Sequence, residues 1–133
     1  MGYFAKVTQE LVGRSIDLPD DLTVRWPELN QLRFRRGGLP LRIGGLLLGQ
    51  ATVAAITLGR TIFLARDTRF NPELLLHELR HVQQFAERKT FPLHYIWESL
   101  RRGYHANRFE VDARDYAARR VARNSGTGKS EDA

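Results

Sequence analysis

Cysteine is absent from the 133-residue chain. Disulfide bonds and thiolate metal sites are therefore excluded, and any bound metal must be held by histidine, aspartate, glutamate or water. A lack of cysteine is typical of a reducing compartment. Residues 1–19 contain no continuous apolar core and no small-residue cleavage pattern, so they do not predict a signal peptide. These absences together predict a cytoplasmic protein.

Long hydrophobic runs are also missing. The uncharged stretch from Ile43 to Gly59 is rich in glycine and is interrupted by Gln50, Thr52 and Thr57. A membrane-spanning helix needs about 20 predominantly apolar residues, so we expect no membrane span. The length fits one compact domain, which we place at residues 1–123. The polar residues 124–133 are predicted to be a disordered tail.

Acidic residues are fewer than basic ones, 15 against 21, which gives a formal net charge of +6. Most of the excess is arginine, in short clusters at 33–36, 101–102 and 119–120. A basic surface attracts nucleic acid or acidic partners over long distances. The simpler interpretation is a solvated, arginine-rich surface. Nucleic-acid binding has only the charge in its favour, because no aromatic-interleaved recognition motif accompanies it.

The sequence predicts a mixture of helices and strands. Residues 1 to about 36 predict a helical and irregular segment, and from Leu41 to Ala65 the pattern is typical of β structure. Two strands, Ala51–Leu58 and Thr61–Ala65, are predicted to be joined by Gly59-Arg60 in a type II′ hairpin. Three helices follow: one capped by Asn71 and running to about residue 89, then 92 to about 102, and 107 to about 123.

Two histidines, His77 and His81, lie four residues apart on the first of these helices and therefore on the same face. The apolar stripe that contains Leu75 and Leu79 points about 150° away, so one face can pack while the other presents two imidazoles. Two neutral imidazoles bind Zn²⁺, and a carboxylate between them can reach the water that zinc activates. We predict one Zn²⁺ per chain, with His77 and His81 as ligands and Glu78 as the catalytic base.

A catalytic zinc site normally has a third protein ligand. The extended motif HExxHxxGxxH is not present, because Gln84 and Glu87 stand at its glycine and third-histidine positions. On the last predicted helix Glu110 falls within the inward arc, where a carboxylate must be paired, protonated or metal-bound. Asn107 and Glu110 also fit a capping box, which would explain Glu110 without zinc. The upstream HExxH motif favours Glu110 as the ligand.

The segments HELRHVQQF and NRFEVDARDYA resemble the minigluzincins, minimal soluble versions of the catalytic core of membrane metallopeptidases of the CAAX-prenyl and heat-shock types. The resemblance covers about residues 51–120. It implies an α+β fold, a minimal zincin-like domain in which a β-hairpin or small sheet packs on the HExxH helix, with further C-terminal helices. It also implies a metalloendopeptidase with His77, His81 and Glu110 as zinc ligands and Glu78 as general base and acid.

The same resemblance implies an edge strand that pairs with extended peptide substrate, and its match here is Thr61, Ile62, Phe63, Leu64 and Ala65. Related enzymes often carry an aspartate four residues after the ligand glutamate, where this chain has Arg114. Asp112 and Asn107 are the candidates to orient a zinc histidine in its place. Candidates for stabilising the oxyanion are the polar aromatic side chains that follow: Tyr95, Tyr104, His94 and His105.

Peptide or protein hydrolysis is the leading hypothesis, and two others stay open. One is a zinc protease acting near DNA, which would resemble the SprT-like class and would usually complete its site with a histidine such as His94 or His105. The other is a catalytically weak or inactive zinc-binding module, for which Arg114 is the sequence support.

Overall fold

The computed structural model describes residues 2–47 and 53–127, and the chain divides into two compact units at Phe70. The first unit contains four short strands and three helices: α1 (Gly2–Val12), β1 (Arg14–Ile16), α2 (Asp20–Arg25), a 3-10 turn (Pro27–Gln31), β2 (Arg33–Arg36), α3 (Leu39–Leu47), β3 (Ala55–Leu58) and β4 (Thr61–Leu64). The second contains α4 (Pro72–Glu87), α5 (Phe91–Arg102) and α6 (Arg108–Thr127). The predicted α+β class is confirmed. That residues 1–123 form a single domain stays a prediction.

The four strands form one mixed sheet in the order β1-β2-β4-β3. β2 and β4 run parallel, with Phe34 opposite Ile62, and both outer pairs are antiparallel. β4 is therefore an interior strand whose backbone is paired on both sides. The expectation that Thr61, Ile62, Phe63, Leu64 and Ala65 form a sheet edge is wrong, because an added peptide strand would find no free backbone groups there. Among the described strands, β1 and β3 are the edges.

The predicted hairpin is present and has the predicted turn. Leu58 lies opposite Thr61, which leaves Gly59 and Arg60 as a two-residue loop. Gly59 has φ +61°, and no residue other than glycine has a positive φ among those described, which fits a glycine-first type II′ turn. The first strand begins at Ala55 rather than Ala51. Residues 51 and 52 lie outside the described part of the chain.

Two features of the N-terminal half differ from the sequence-based expectation. β structure was predicted from Leu41, but Leu39–Leu47 is a helix with Pro40 in its first turn. A Cβ atom at Gly44 would lie 1.7 Å from Cδ1 of Ile56, so a glycine here lets α3 approach β3 closely. Two strands, β1 and β2, lie in the segment predicted to be helical and irregular.

No helix of the described residues has the length and apolar character needed to cross a membrane.

Arginines of the first predicted cluster bind backbone carbonyl groups. The Arg36 guanidinium donates to the carbonyl oxygens of Ala65 (3.0 Å) and Thr68 (2.6 Å) and lies 4.9 Å from the centre of the Phe70 ring. Arg35 donates to the carbonyl oxygen of Gly13 at 2.9 Å. Both side chains are half-buried, so they stabilise loops around the sheet and are not simply solvated surface.

The helices of the second unit begin and end near their predicted positions. The Asn71 side chain accepts a hydrogen bond from the backbone N–H of Glu73 at 2.9 Å and so caps α4 as predicted. α5 ends at Gly103, whose φ of +78° is typical of a glycine that stops a helix. α6 continues to Thr127, so residues 124–127 are helical and not part of a tail. Residues 128–133 lie outside the described part of the chain.

Packing between the helices fixes the positions of the site residues. α4 and α6 lie against each other along much of their length. Ala113 and Ala117 of α6 are fully buried, and side chains this small let two helices approach closely. An aromatic cluster around Phe91 joins α5 to both neighbours, with ring centres of Phe85 at 4.7 Å and Phe109 at 5.0 Å.

Candidate metal centre

The two histidines of α4 converge on one point. The Nε2 atoms of His77 and His81 are 3.2 Å apart, and the two ring planes are nearly perpendicular. His81 is buried and His77 is slightly more exposed. One helical turn separates the two residues, which is why their imidazoles meet on the same face.

Glu110 of α6 brings its carboxylate to the same point. Its Oε2 lies 2.9 Å from Nε2 of His77 and its Oε1 lies 3.1 Å from Nε2 of His81. The Tyr95 hydroxyl donates to Oε1 at 2.6 Å. Glu110 therefore faces the histidines and does not reach back to the start of its own helix. Asn107 alone caps α6, by accepting from the backbone N–H of Phe109 at 2.9 Å.

Burial and charge act against each other in this cluster. Burial disfavours a charged His81, but the hydrogen bond to Glu110 and the carboxylates of Glu78 and Glu110 outweigh it and raise the pKa of His81 to about 9. Burial would raise the pKa of Glu110, yet the hydrogen bonds from His77, His81 and Tyr95 lower it far below its ordinary range. In the metal-free protein these carboxylates therefore favour the protonated form of His81.

Glu78 completes the group. Its side chain is buried, and one ligand atom each from His77, Glu78 and His81 lie within 4.8 Å of one another, so the three residues could hold a metal ion. Glu110 contacts both histidines, at 2.9 and 3.1 Å. Donor atoms on a tetrahedral zinc ion are about 3.3 Å apart, given bond lengths near 2.0–2.1 Å. The separations among His77, His81 and Glu110 are close to that value, and their imidazole and carboxylate donors are types that zinc prefers.

The oxyanion candidates occupy different surroundings. Burial and the Glu110 carboxylate raise the pKa values of the Tyr95 and Tyr104 hydroxyls well above the ordinary value, so both remain protonated donors at neutral pH. The Tyr95 hydroxyl is already bonded to Glu110. His105 is exposed and its ring lies 5.5 Å from that of Tyr104, while His94 is half-buried.

Gln84 is a site residue that the sequence analysis did not identify. Its Oε1 lies 2.7 Å from Nδ1 of His81. Its Nε2 donates to Oδ2 of Asp112 at 2.9 Å and to the carbonyl oxygen of Phe109 at 3.1 Å. The only signal in the sequence was its position three residues after His81, which on a helix is a neighbouring position.

The two residues predicted to orient a histidine behave differently from that expectation. Asp112 reaches His81 only through Gln84, because its carboxylate is bound by Gln84 and by Arg80, whose Nε is 2.6 Å away. Asn107 is fully buried, but its amide donates to the carbonyl oxygen of Tyr95 (3.0 Å) and to the hydroxyl of Ser99 (2.8 Å). Asn107 therefore joins α5 to α6 and does not orient a histidine.

Comparison with known protein families finds similarity over part of the chain. A family model described as the eCIS core domain matches residues 47–89, a segment that contains β3, β4, all of α4 and the HExxH motif, and that ends before Glu110. No curated protein and no solved structure matches the chain. The match and the His77-Glu78-His81 group are compatible with a minimal zincin-like fold and fit a metal-binding function.

Proposed function

We propose that the chain is a zinc-dependent metalloendopeptidase of the gluzincin type, which binds one Zn²⁺ and hydrolyses peptide bonds in peptide or protein substrates. The observation that carries the proposal is the convergence of His77 Nε2, His81 Nε2 and the Glu110 carboxylate at 2.9–3.2 Å, with the buried Glu78 beside them. Three lone pairs that point at one place repel each other unless a cation or a proton lies between them.

His77, His81 and Glu110 would hold the ion. Two imidazoles and one carboxylate are the ligand set of one class of catalytic zinc site, in which a fourth position is left open. When bound, zinc supplies a Lewis acid that polarises a carbonyl group and lowers the pKa of water to about 7. The Tyr95 hydroxyl holds Glu110 in place through its hydrogen bond to Oε1.

Glu78 is the proton carrier of the proposed reaction. Its carboxylate accepts a proton from the attacking water and returns it to the amine that leaves. Burial keeps bulk water away from this carboxylate, which strengthens its electrostatic interactions. Tyr95 and Tyr104 are both candidates to donate to the developing oxyanion, because both hydroxyls are protonated at neutral pH and both interact with Glu110 beside the proposed zinc position.

The geometry favours this proposal over a SprT-like site. A SprT-like site would usually take its third ligand from a histidine, whereas here a glutamate contacts both motif histidines. The net charge of +6 is also weaker support for nucleic-acid binding than the number of arginines suggests. The guanidinium groups of Arg35, Arg36 and Arg80 are already bound to carbonyl or carboxylate groups of the protein.

The test combines metal content with peptide cleavage. Protein purified in the presence of zinc should contain one Zn²⁺ per chain by elemental analysis and should cleave members of a peptide library. Glu78→Gln should keep the zinc and lose cleavage by about a thousandfold or more, since it removes the base but none of the three proposed ligands. Glu73→Gln, an exposed change in the first turn of the same helix, is the matched control and should keep both.

The outcomes separate the hypotheses. Cleavage that survives Glu78→Gln would refute the proposed mechanism. Full zinc occupancy without turnover of any library peptide would instead indicate the inactive zinc-binding module. Salt-dependent binding to DNA, with zinc lost in His94→Ala or His105→Ala but not in Glu110→Ala, would indicate the SprT-like alternative.

A further inference from the structure

The side-chain amide of Gln84 can adopt only one orientation. One end of the amide faces Nδ1 of His81, and the other end faces two oxygen atoms, the Phe109 carbonyl and the Asp112 carboxylate. With the NH₂ group toward the two oxygens, both of its hydrogens are used, and the amide oxygen faces Nδ1. The reverse orientation would set the amide oxygen against two other acceptor oxygens and would lose both of the hydrogen bonds that the NH₂ group donates to them. Gln84 is buried, so water could not compensate for that loss.

A fixed amide oxygen determines where His81 carries its proton. An acceptor 2.7 Å from Nδ1 requires a hydrogen on Nδ1. In neutral His81 the lone pair is then on Nε2, the atom that points at His77 and Glu110. That is the tautomer in which imidazole can bind a metal ion through Nε2.

We propose that Gln84 is the positioning residue of the metal centre: it fixes the tautomer and ring orientation of His81, and it acts as the middle member of a hydrogen-bonded relay that runs from Arg80 through Asp112 to His81. The inference rests on the metal-binding part of the proposed function and does not depend on peptide hydrolysis. At position 114, where related enzymes often have an aspartate that orients a zinc histidine, this chain has an arginine whose side chain donates to the backbone carbonyl of His105. Here Asp112 takes over the orienting role indirectly, through the Gln84 amide.

The His81 end of the relay is buried, whereas the Asp112 side of the relay is accessible to water. The Asp112 carboxylate is 41% exposed and is held by Arg80, which also pairs with Glu87 at 2.9 Å. Asp112 and Arg80 line a cavity of about 380 Å³, which Gln84 also borders. The negative charge of Asp112 polarises the amide and makes its oxygen a stronger acceptor, which in turn makes the His81 Nε2 a stronger donor to a metal. Because the Asp112 end is open to water, Asp112→Asn should leave the fold intact.

The experiment measures zinc affinity by competition with a chromophoric chelator, together with the imidazole proton signals of His81 by NMR. Gln84→Met keeps the approximate size but removes all three hydrogen bonds, and we expect a 10- to 100-fold loss of zinc affinity. We also expect loss of the downfield Nδ1–H signal of His81 in the zinc-loaded protein. Glu73→Gln, an exposed change in the first turn of the same helix whose side chain has no hydrogen bond to the described members of the relay, is the matched control and should change affinity less than threefold.

A double-mutant cycle tests whether Asp112 acts through Gln84. Asp112→Asn alone should weaken zinc binding by about threefold or more, and should add nothing in the Gln84→Met background. Folding of each metal-free variant is checked by circular dichroism, and the Asp112→Asn comparison still decides the matter if Gln84→Met does not fold. Wild-type affinity in both folded variants, or fully additive effects, would overturn the relay. Failure of the wild-type protein to bind zinc would instead refute the proposed function.

Discussion

Replacement of Glu110 by glutamine distinguishes most clearly between two interpretations of the cluster, a zinc site and a set of ion pairs that only stabilises the fold. The change keeps the size of the side chain and one acceptor oxygen, so Tyr95 can still donate to it. It removes the negative charge that lies 2.9 and 3.1 Å from the two histidines. The proposed zinc site would therefore lose one of its three ligands, while the packing of α6 on α4 would be unchanged.

The expected magnitude follows from linkage. Zinc at about 1,000 times its dissociation constant stabilises the folded state by about 4 kcal/mol. The unfolding entropy of 133 residues is about 280 cal/mol/K, so that stabilisation raises the Tm by about 15 °C. A 100-fold weaker affinity in Glu110→Gln subtracts about 3 kcal/mol and leaves a shift of about 5 °C at the same zinc concentration.

The assay is differential scanning calorimetry of metal-stripped protein with and without zinc, at one protein concentration and pH 7. Asp115→Asn, an exposed change on the same helix, should retain the full shift. An equal zinc-induced shift in wild type and Glu110→Gln would refute Glu110 as a ligand. A shift that instead disappears in His105→Ala or His94→Ala would transfer the third-ligand role to a histidine.

Two further predictions concern stability. Gly13→Ala should destabilise the protein by at least about 3 kcal/mol in urea denaturation, because Gly13 has φ +70° and a Cβ would lie 2.6 Å from two backbone carbonyl oxygens. The control is Gly59→Ala, which should cost only about 1–2 kcal/mol, because Gly59 has φ +61° but no atom lies within 4 Å of an added Cβ. Equal costs for the two changes would contradict the close approach at Gly13. The raised pKa of His81 should stabilise the metal-free protein fully below pH 6.5, and that contribution, up to about 3 kcal/mol, should disappear as the pH rises through 9. Glu110→Gln should reduce this pH dependence, because Glu110 gives the largest of the contributions that raise the pKa of His81 while Glu78 remains. A wild-type stability that does not fall between pH 6.5 and 9.5 would refute the buried pair.

Local patterns in the sequence were sufficient to predict the HExxH helix and its neighbours. Asn71, Pro72 and Glu73 are capping signals that act within one helical turn, and α4 begins where they place it. The spacing of His77 and His81 fixes their shared face without any tertiary contact. The hairpin turn was equally local, because a two-residue loop that begins with glycine has few alternatives.

The N-terminal half was predicted less well because its structure depends on distant pairings. β1 and β2 are three and four residues long and rich in arginine, so neither carries a clear strand pattern. β2 becomes a strand by pairing with β4, about 28 residues later in the chain, and that pairing makes β4 an interior strand. α3 was predicted to be β structure because a short apolar run does not by itself distinguish a helix from a strand.

The sequence by itself determined that His77 and His81 lie on the same face of one helix with Glu78 next to them, because a spacing of four residues is close to one turn of 3.6 residues. Only the tertiary structure decided how Glu110 is used. Its sequence fitted both a helix cap and a ligand, and the packing of α6 against α4 set its carboxylate against the histidines. The same packing brought Asp112 to Gln84, a contact between residues 28 positions apart that no local pattern encodes.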